Sequence, residues 1–203
     1  MAAMRNLRQK GMTLIELMTA LLVIAIVLGV GVPAFTNILD TNRMAATVNK
    51  FVAAIHGART EAVKQRANAT ICASTDGATC NAAAGFRDGW IVFIDGVPPI
   101  GPNGIVDGAD VVLQSQGPAP DTITTFAVDP GVGLHYVSFG ADGFRQQIGG
   151  ALPVNNILLC DDRGDLDTGG GIAAGRHLFI SPVGRPQIYR MQAEVQASPL
   201  GGC

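Results

Sequence analysis

A run of 19 uncharged residues near the N-terminus, residues 17–35, most constrains what this chain can fold into. Most of its positions are Leu, Val, Ile, Ala or Met. At about 1.5 Å of rise per residue, a helix over this run would span roughly 28 Å, close to the thickness of the hydrocarbon core of a bilayer. The run is therefore long and apolar enough to cross a membrane as a helix.

An acidic residue, Glu16, directly precedes this run and lies one turn into the apolar block that begins with Met12, Thr13, Leu14 and Ile15. A carboxylate within a membrane helix costs on the order of 2.5–3.5 kcal/mol on insertion scales. We therefore expect Glu16 to have either a partner or a specific task.

The small residue that marks a cleavage site lies on the unusual side of the apolar run. A secretory signal peptide is cut after its apolar region, whereas Gly11 precedes it, between Lys10 and Met12. Cleavage after Gly11 would remove residues 1–11, make Met12 the new N-terminus and keep the helix in the mature protein. The alternative interpretation is a plain single-pass membrane anchor.

The segment KGMTLIE, residues 10–16, resembles the class III (prepilin) signal of type IV pilins and type II secretion pseudopilins. The resemblance implies cleavage after Gly11 by prepilin peptidase, N-methylation of Met12, and contact between Glu16 and the N-terminal amine of a neighbouring subunit during assembly. The family usually has Phe where this chain has Met12. Pro33 falls where many pilins have a proline, and it should kink or loosen the helix because it lacks a backbone N–H.

The net charge argues against general nucleic-acid binding. The chain has a formal charge of −2, and loss of the three leader cations would take the side-chain charge to −5. Proteins that bind nucleic acids generally carry a basic surface instead. Those cations, Arg5, Arg8 and Lys10, favour a cytoplasmic leader with the bulk of the chain on the other side of the membrane. Either Met1 or Met4 could be the true start.

Four cysteines lie beyond the apolar run, which is typical of an oxidising periplasm or cell surface. A disulfide between Cys72 and Cys80 would span an easily closed hairpin. Pairing Cys160 with Cys203 would close a long C-terminal loop, worth about 4 kcal/mol in the chain-entropy model. Four cysteines allow three connectivities, so the other pairings stay open.

Hydrophobic spacing predicts one long helix followed by strands. Apolar residues at spacings of three, four and seven extend the helix from about Thr13 to about Ala67; they are Ile38, Ala45, Val48, Val52, Ile55, Ala58 and Ala62. Period-two patterns, frequent Gly and Pro, and turn residues then predict strands near 69–72, 90–94, 111–113, 122–128, 134–139, 156–160, 177–181 and 187–190. Residues 98–110 and 161–175 are predicted loops, and 192–203 an irregular tail pinned by its cysteine.

Segments of this β-rich part resemble the GspH/FimT family of minor pilins and pseudopilins. The similar segments are 72–77 with Cys80, 88–93, 139–143, 159–161 and 180–185. The resemblance implies an α+β, pilin-like fold in which a long N-terminal helix packs on antiparallel β-sheets. We accordingly divide the chain into a leader (1–11), a transmembrane or filament-core helix (12–35), its amphipathic continuation (36–67) and a globular head (68–203).

The same resemblance implies the function of a minor pilin that primes or caps assembly of a type IV pilus. The alternatives are a minor pseudopilin of a type II secretion system and a DNA-binding minor pilin for natural transformation. The implied partners are other major and minor pilins or pseudopilins, prepilin peptidase and the inner membrane. The head domain is then expected in the periplasm and later in a filament.

A possible DNA contact is suggested by Gly184-Arg185, because certain DNA-binding FimT proteins have Gly-Arg-x-Arg near the C-terminus. Here Gln187 occupies the fourth position. Arg176, Arg185 and Arg190 still make this segment locally positive. A hairpin whose arginines are simply solvated is the favoured interpretation.

No enzyme, cofactor or metal centre is predicted. His56, His135 and His177 have no acidic or cysteine neighbours at metal-ligand spacing, and nucleophile, phosphate-loop and zinc motifs are absent from the sequence. Four carboxylates of the glycine-rich loop could offer oxygens to Ca²⁺: Asp161, Asp162, Asp165 and Asp167. Arg163, however, occupies the third position of the usual calcium-loop order. A solvated loop is therefore the favoured interpretation.

Overall fold

The computed structural model describes residues 11–96, 101–129, 135–148 and 152–203. Residues 1–10 of the predicted leader therefore lie outside the described residues. The chain divides into two compact units, one ending at Leu39 and the other extending from Asp40 to Cys203. The boundary lies inside the first helix, α1, which runs from Leu14 to Gln65. This confirms the single long helix predicted from about 13 to about 67.

The first unit contains the apolar half of α1, whose side chains are exposed. Its most apolar 18-residue window has a mean hydropathy of 2.6 and is 0% buried, so by length and composition the helix could cross a membrane. Large apolar residues such as Leu22 and Val27 are each 62% exposed.

The second half of α1 buries one stripe of side chains against the second unit. Val48, Ile55, Ala58 and Ala62 were predicted to line this stripe and are buried. Ile38 was also predicted to do so but is 58% exposed, because it belongs to the first unit. The stripe is wider than predicted and also contains Met44, Thr47, Phe51 and Ala54.

The strands follow the predicted order, with one additional strand. They are β1 (Asn68–Ala73), β2 (Trp90–Asp95), β3 (Val111–Gln116), β4 (Ile123–Val128), β5 (Tyr136–Phe139), β6 (Arg145–Gln146), β7 (Asn156–Asp161), β8 (Ile172–Ile180) and β9 (Pro186–Met191). A 3₁₀ turn (Phe86–Asp88) precedes β2, and a short helix, α2 (Gln192–Gln196), follows β9. The additional strand is β6, and the 3₁₀ turn and α2 are further elements that were not predicted.

The described strands form two antiparallel sheets. The first sheet has the order β3-β2-β1-β5-β6 and the second has the order β4-β7-β8-β9. In the first sheet, Thr70 at the centre of β1 pairs with Phe93 on one side and Ser138 on the other. The observed architecture is thus the expected α+β arrangement of a long helix and antiparallel sheets.

An aromatic cluster joins the helix to both sheets. The ring of Phe51 on α1 lies 4.9 Å from Phe86, 5.1 Å from Trp90 on β2 and 5.4 Å from Phe126 on β4, in edge-to-face contacts. Such contacts add to the free energy gained from apolar burial. Phe51 is fully buried, so it lies at the centre of the core.

Two predictions about irregular segments were wrong. The loop predicted over 161–175 ends earlier, since β8 begins at Ile172. A register shift between Ile172 and His177 interrupts the period-two pattern of this strand. Gly175 has no Cβ, and a Cβ at this position would collide with Cys203 Sγ. The first five residues of the tail predicted as irregular over 192–203 form α2, because burial of Val195 stabilises a helix too short to predict locally, and the remainder has no regular secondary structure.

We predict that Phe51→Ala lowers the free energy of unfolding by about 3–5 kcal/mol, because it empties the centre of the aromatic cluster. Urea unfolding of the detergent-solubilised chain, followed by the fluorescence of its single tryptophan, Trp90, measures the change. The matched control is Phe144→Ala, since Phe144 is 49% exposed; we expect it to change stability by less than about 0.5 kcal/mol. Equal effects of the two substitutions would contradict this account of the core.

Candidate functional site

The residues of the predicted processing site lie at the exposed start of α1. Met12 is 66% exposed, and the helix begins two residues later at Leu14. The backbone N–H of Glu16 donates to Thr13 Oγ1 at 3.3 Å, so Thr13 caps the helix. Glu16 lies in the first turn of α1 and is exposed. A negative charge at this position interacts favourably with the positive end of the helix dipole.

Gly11 has no steric role in the described fold. A Cβ built on Gly11 would meet nothing within 4 Å.

Both disulfides that were considered from the sequence are present in the structure. Cys72 on β1 bonds to Cys80 across the loop after the strand, and Cys160 on β7 bonds to Cys203. The second bond attaches the end of the chain to the second sheet. There the C-terminal segment covers a small apolar cluster of Leu158, Cys160, Ala173 and Val195.

The three arginines proposed for DNA contact do not form one surface. Arg176 is only 8% exposed, and its Nη1 donates to the backbone carbonyls of Ala173, Ala174 and Gly175. Burial, followed by the nearby cations Arg190 and Arg163, lowers the pKa of Arg176. Arg176 was considered as a possible phosphate contact, with solvated arginines the favoured interpretation; it is not solvated, because its guanidinium is buried and donates to the backbone.

Arg185 and Arg190 are both exposed. Arg185 lies in the turn before β9 and Arg190 near the end of that strand. Five residues of extended chain separate them by roughly 16 Å. The DNA hypothesis is thus left with two separated cations, one in the turn before the edge strand β9 and one on that strand.

The carboxylates of the acidic loop accept hydrogen bonds from the chain itself. Asp161 is buried and forms an ion pair with Arg163 at 2.6 Å. Asp165 Oδ1 accepts from the backbone N–H of Cys203 at 2.7 Å, and Asp167 Oδ1 from that of Gly169 at 2.7 Å. Over the described ranges, no group of three or more His, Cys, Asp or Glu side chains is arranged to hold a metal ion.

The histidines are dispersed, and the one that is buried has a packing role. His177 Nε2 lies 3.0 Å from Asn156 Oδ1, and its ring stacks on Tyr189 at 5.3 Å. Burial lowers the pKa of His177. An apolar cleft of about 430 Å³ lies beside it, lined also by Phe179 and Pro199. His56 is exposed on the helix and His135 is partly exposed.

A buried carboxylate that sequence reasoning missed holds a loop in place. Asp95 at the end of β2 is fully buried, and it accepts from Thr70 Oγ1 and from the backbone N–H groups of Asn103 and Gly104, at 2.8–3.0 Å. Burial raises the pKa of Asp95. The signal in the sequence was an acid directly after an unbroken apolar strand.

Comparison with known proteins identifies the family. The family model of the type II transport protein GspH matches residues 47–184, more than half of the chain. This chain belongs to the GspH family. The model of the prokaryotic N-terminal methylation motif matches residues 6–32. As a member of this family, the chain is a minor pilin or pseudopilin of the type IV pilus or type II secretion type.

Comparison with curated proteins finds no match. Among solved structures, the chain is similar to two crystal forms of the type IV minor pilin FimU of Pseudomonas aeruginosa. One has 21% identity over 77% of this chain and 95% of FimU, with a TM-score of 0.49. The other has 21% identity over 76% and 98%, with a TM-score of 0.43.

The two family models cover different candidate residues of this GspH-family chain. The methylation motif covers Gly11, Met12 and Glu16, and the GspH model covers the buried half of α1 and most of both sheets. Pro33 lies in the interval between them. There α1 continues through Pro33, so the predicted kink stays a prediction.

We predict that Arg176→Ala lowers the free energy of unfolding by about 2–3 kcal/mol, because buried carbonyl oxygens lose their charged donor. Thermal or urea unfolding of the purified chain measures the loss. The matched control is Arg190→Ala on the neighbouring strand, for which we expect a change below about 0.5 kcal/mol. An Arg176→Ala chain as stable as wild type would show that the guanidinium is not structural.

Proposed function

We propose that this GspH-family chain is a minor pilin that primes or caps assembly of a type IV pilus. The observation that supports the proposal is the pairing of a methylation motif over residues 6–32 with an apolar helix that is 0% buried. A helix of this kind needs a bilayer before assembly and the helices of other subunits afterwards, since uncovered apolar surface of this size is unfavourable in water.

In this proposal, prepilin peptidase cleaves after Gly11 and the new N-terminus, Met12, is methylated. The match of the N-terminal methylation motif to residues 6–32, which include Gly11 and Met12, supports this step. The chain then waits in the inner membrane, with the unit from Asp40 onward on the periplasmic side.

Glu16 is proposed to set the register of the subunit during assembly. Its carboxylate lies four residues after Met12 in an apolar environment, where a charge needs a partner. The N-terminal amine of an adjacent subunit supplies the opposite charge. Because Thr13 already caps the helix, loss of the Glu16 charge need not disrupt the helix itself.

A second candidate function is a minor pseudopilin of a type II secretion system, since the family model is described as a type II transport protein. The same helix and head would then belong to a pseudopilus that moves folded proteins outward. DNA binding is a separate hypothesis that depends on Arg185 and Arg190 alone. We further propose that the protein is structural and has no catalytic activity.

We predict that an in-frame deletion in the native host abolishes surface pili and leaves protein secretion normal. Electron microscopy counts the pili, and gel analysis compares secreted proteins in the same culture. The deletion strain is then complemented with wild type, Glu16→Gln or Glu61→Gln. Glu61 is a matched control because it lies on the same helix but outside the apolar half.

The glutamine variants separate assembly from folding. We expect Glu16→Gln to be processed normally but not to restore pili, because the charge that pairs with a neighbouring amine is gone. Glu61→Gln should restore them. Pili with Glu16→Gln would contradict the role of Glu16, and retained pili with secreted proteins trapped in the periplasm would support the pseudopilin function instead.

A further inference from the structure

The cleft of about 430 Å³ beside His177 lies on the outer face of the second sheet. Asn156 on β7 pairs with Phe179 on β8, and His177 on β8 pairs with Tyr189 on β9. Paired residues share a face of a sheet, as do residues two apart on a strand, so these four side chains form one floor. Leu178, between the two β8 residues, belongs instead to the main core.

The wall of the cleft is formed by the C-terminal segment. Its lining residues are Glu194 on α2, followed by Ala197 and Pro199. Val195 in the same short helix is fully buried, and the second disulfide bonds the end of the chain to β7. The wall is therefore fixed on both sides of the cleft. A pre-formed cleft of this volume is typical of sites for small ligands.

The polar groups of the floor are already bonded within the protein. His177 Nε2 lies 3.0 Å from Asn156 Oδ1, and Asn156 Nδ2 donates to Asp129 Oδ1 at 2.8 Å. Tyr189 Oη donates to Gln187 Oε1 at 2.9 Å. A sugar, whose hydroxyl groups all need partners, would have to compete for these groups. The floor thus offers a ligand mainly the surface of three rings, those of His177, Phe179 and Tyr189.

The charge of the cleft is negative. Glu194 is the one carboxylate among its described lining residues, which include no lysine or arginine. Glu194 is exposed, and its Oε2 accepts from the backbone N–H of Met191 at 3.2 Å. Burial lowers the pKa of His177, although the charge of Asp129 acts in the opposite direction, so the imidazole is neutral at pH 7. Aromatic rings beside a carboxylate attract a cation.

The shortage of free acceptors decides which kind of cation fits. A primary ammonium or a guanidinium has several N–H donors, and each donor that loses its water needs a new acceptor. A trimethylammonium group has no N–H donor, and its methyl groups are apolar. It is the cation that loses least when it enters a cleft of aromatic rings with a single carboxylate.

We propose that this cleft binds a trimethylammonium group, the cationic end of choline and of choline-bearing lipid headgroups. The methyl groups contact the rings of His177, Phe179 and Tyr189, and Glu194 supplies the opposite charge. All of these residues belong to the second unit, so the proposal does not depend on the proposed function.

Calorimetric titration of the full chain with choline tests this site. The chain is solubilised in dodecyl maltoside, a detergent that has no ammonium group. We expect saturable binding at one site. The matched ligand is 3,3-dimethylbutan-1-ol, which has the shape of choline but carbon in place of nitrogen. It should bind at least about tenfold more weakly, because it has no charge for the rings to attract. Equal binding of the two ligands would overturn the proposal.

Two further ligands define the recognised group and its source. Ethanolamine keeps the charge but has N–H donors, and we expect it to bind several-fold more weakly than choline. Binding as tight as that of choline would contradict recognition of the methyl groups. Glycerophosphocholine carries the group as a lipid headgroup does. Binding at least as tight as that of choline would support a lipid source, and weaker binding would support a soluble one.

Substitutions in the cleft locate the site. We expect Tyr189→Leu and Glu194→Gln each to weaken choline binding by about tenfold. The leucine keeps apolar volume without a ring, and the glutamine keeps an oxygen for the N–H of Met191. The matched controls, Phe144→Leu and Glu61→Gln, change residues outside the cleft and should bind choline as wild type does. Thermal unfolding verifies that each variant is folded.

Two results would overturn the proposal. One is the absence of saturable choline binding to the wild-type chain. The other is a loss of affinity in folded Tyr189→Leu and Glu194→Gln chains that is no larger than in their matched controls, since choline would then bind somewhere else.

Discussion

The structure depends on one constraint, an apolar helix segment that its own fold does not cover. Residues 17–35 contain no charge, and none of the most apolar window is buried. At about 25 cal/mol per Å² of apolar surface removed from water, covering such a helix is strongly favourable. In the function that we propose, a bilayer covers this surface before assembly and other subunits cover it afterwards.

In the second unit, the remaining half of the same helix packs against both sheets. Phe51 contacts aromatic rings from both sheets, and Arg145 on β6 donates to the carbonyl of Ile180 on β8 at 3.1 Å, which links the sheets directly. The Cys160–Cys203 bond then fixes the C-terminal segment over the second sheet. One helix thus has two different environments, and the change occurs near Asp40.

Local sequence patterns predicted the helix and most strands, because those features depend on spacing within a few residues, whereas the α+β architecture was implied by the family resemblance. They could not predict that Arg176 is buried, since its partners are backbone carbonyls exposed by a register shift in β8. They also missed the buried ion pair of Arg163 with Asp161 and its contact with Thr41, which joins residues far apart in the chain. The proposed processing residues could be recognised because their order along the chain is itself the signal, and a methylation-motif model matches residues 6–32.

The most direct test of the central claim is the identity of the mature N-terminus. Protein isolated from membranes of the native host would be analysed by intact mass and by sequencing of its N-terminal peptide. The account predicts a chain that begins with N-methylated Met12 and retains the whole apolar helix. A chain that begins after residue 35, or one that keeps its leader unmethylated, would contradict it.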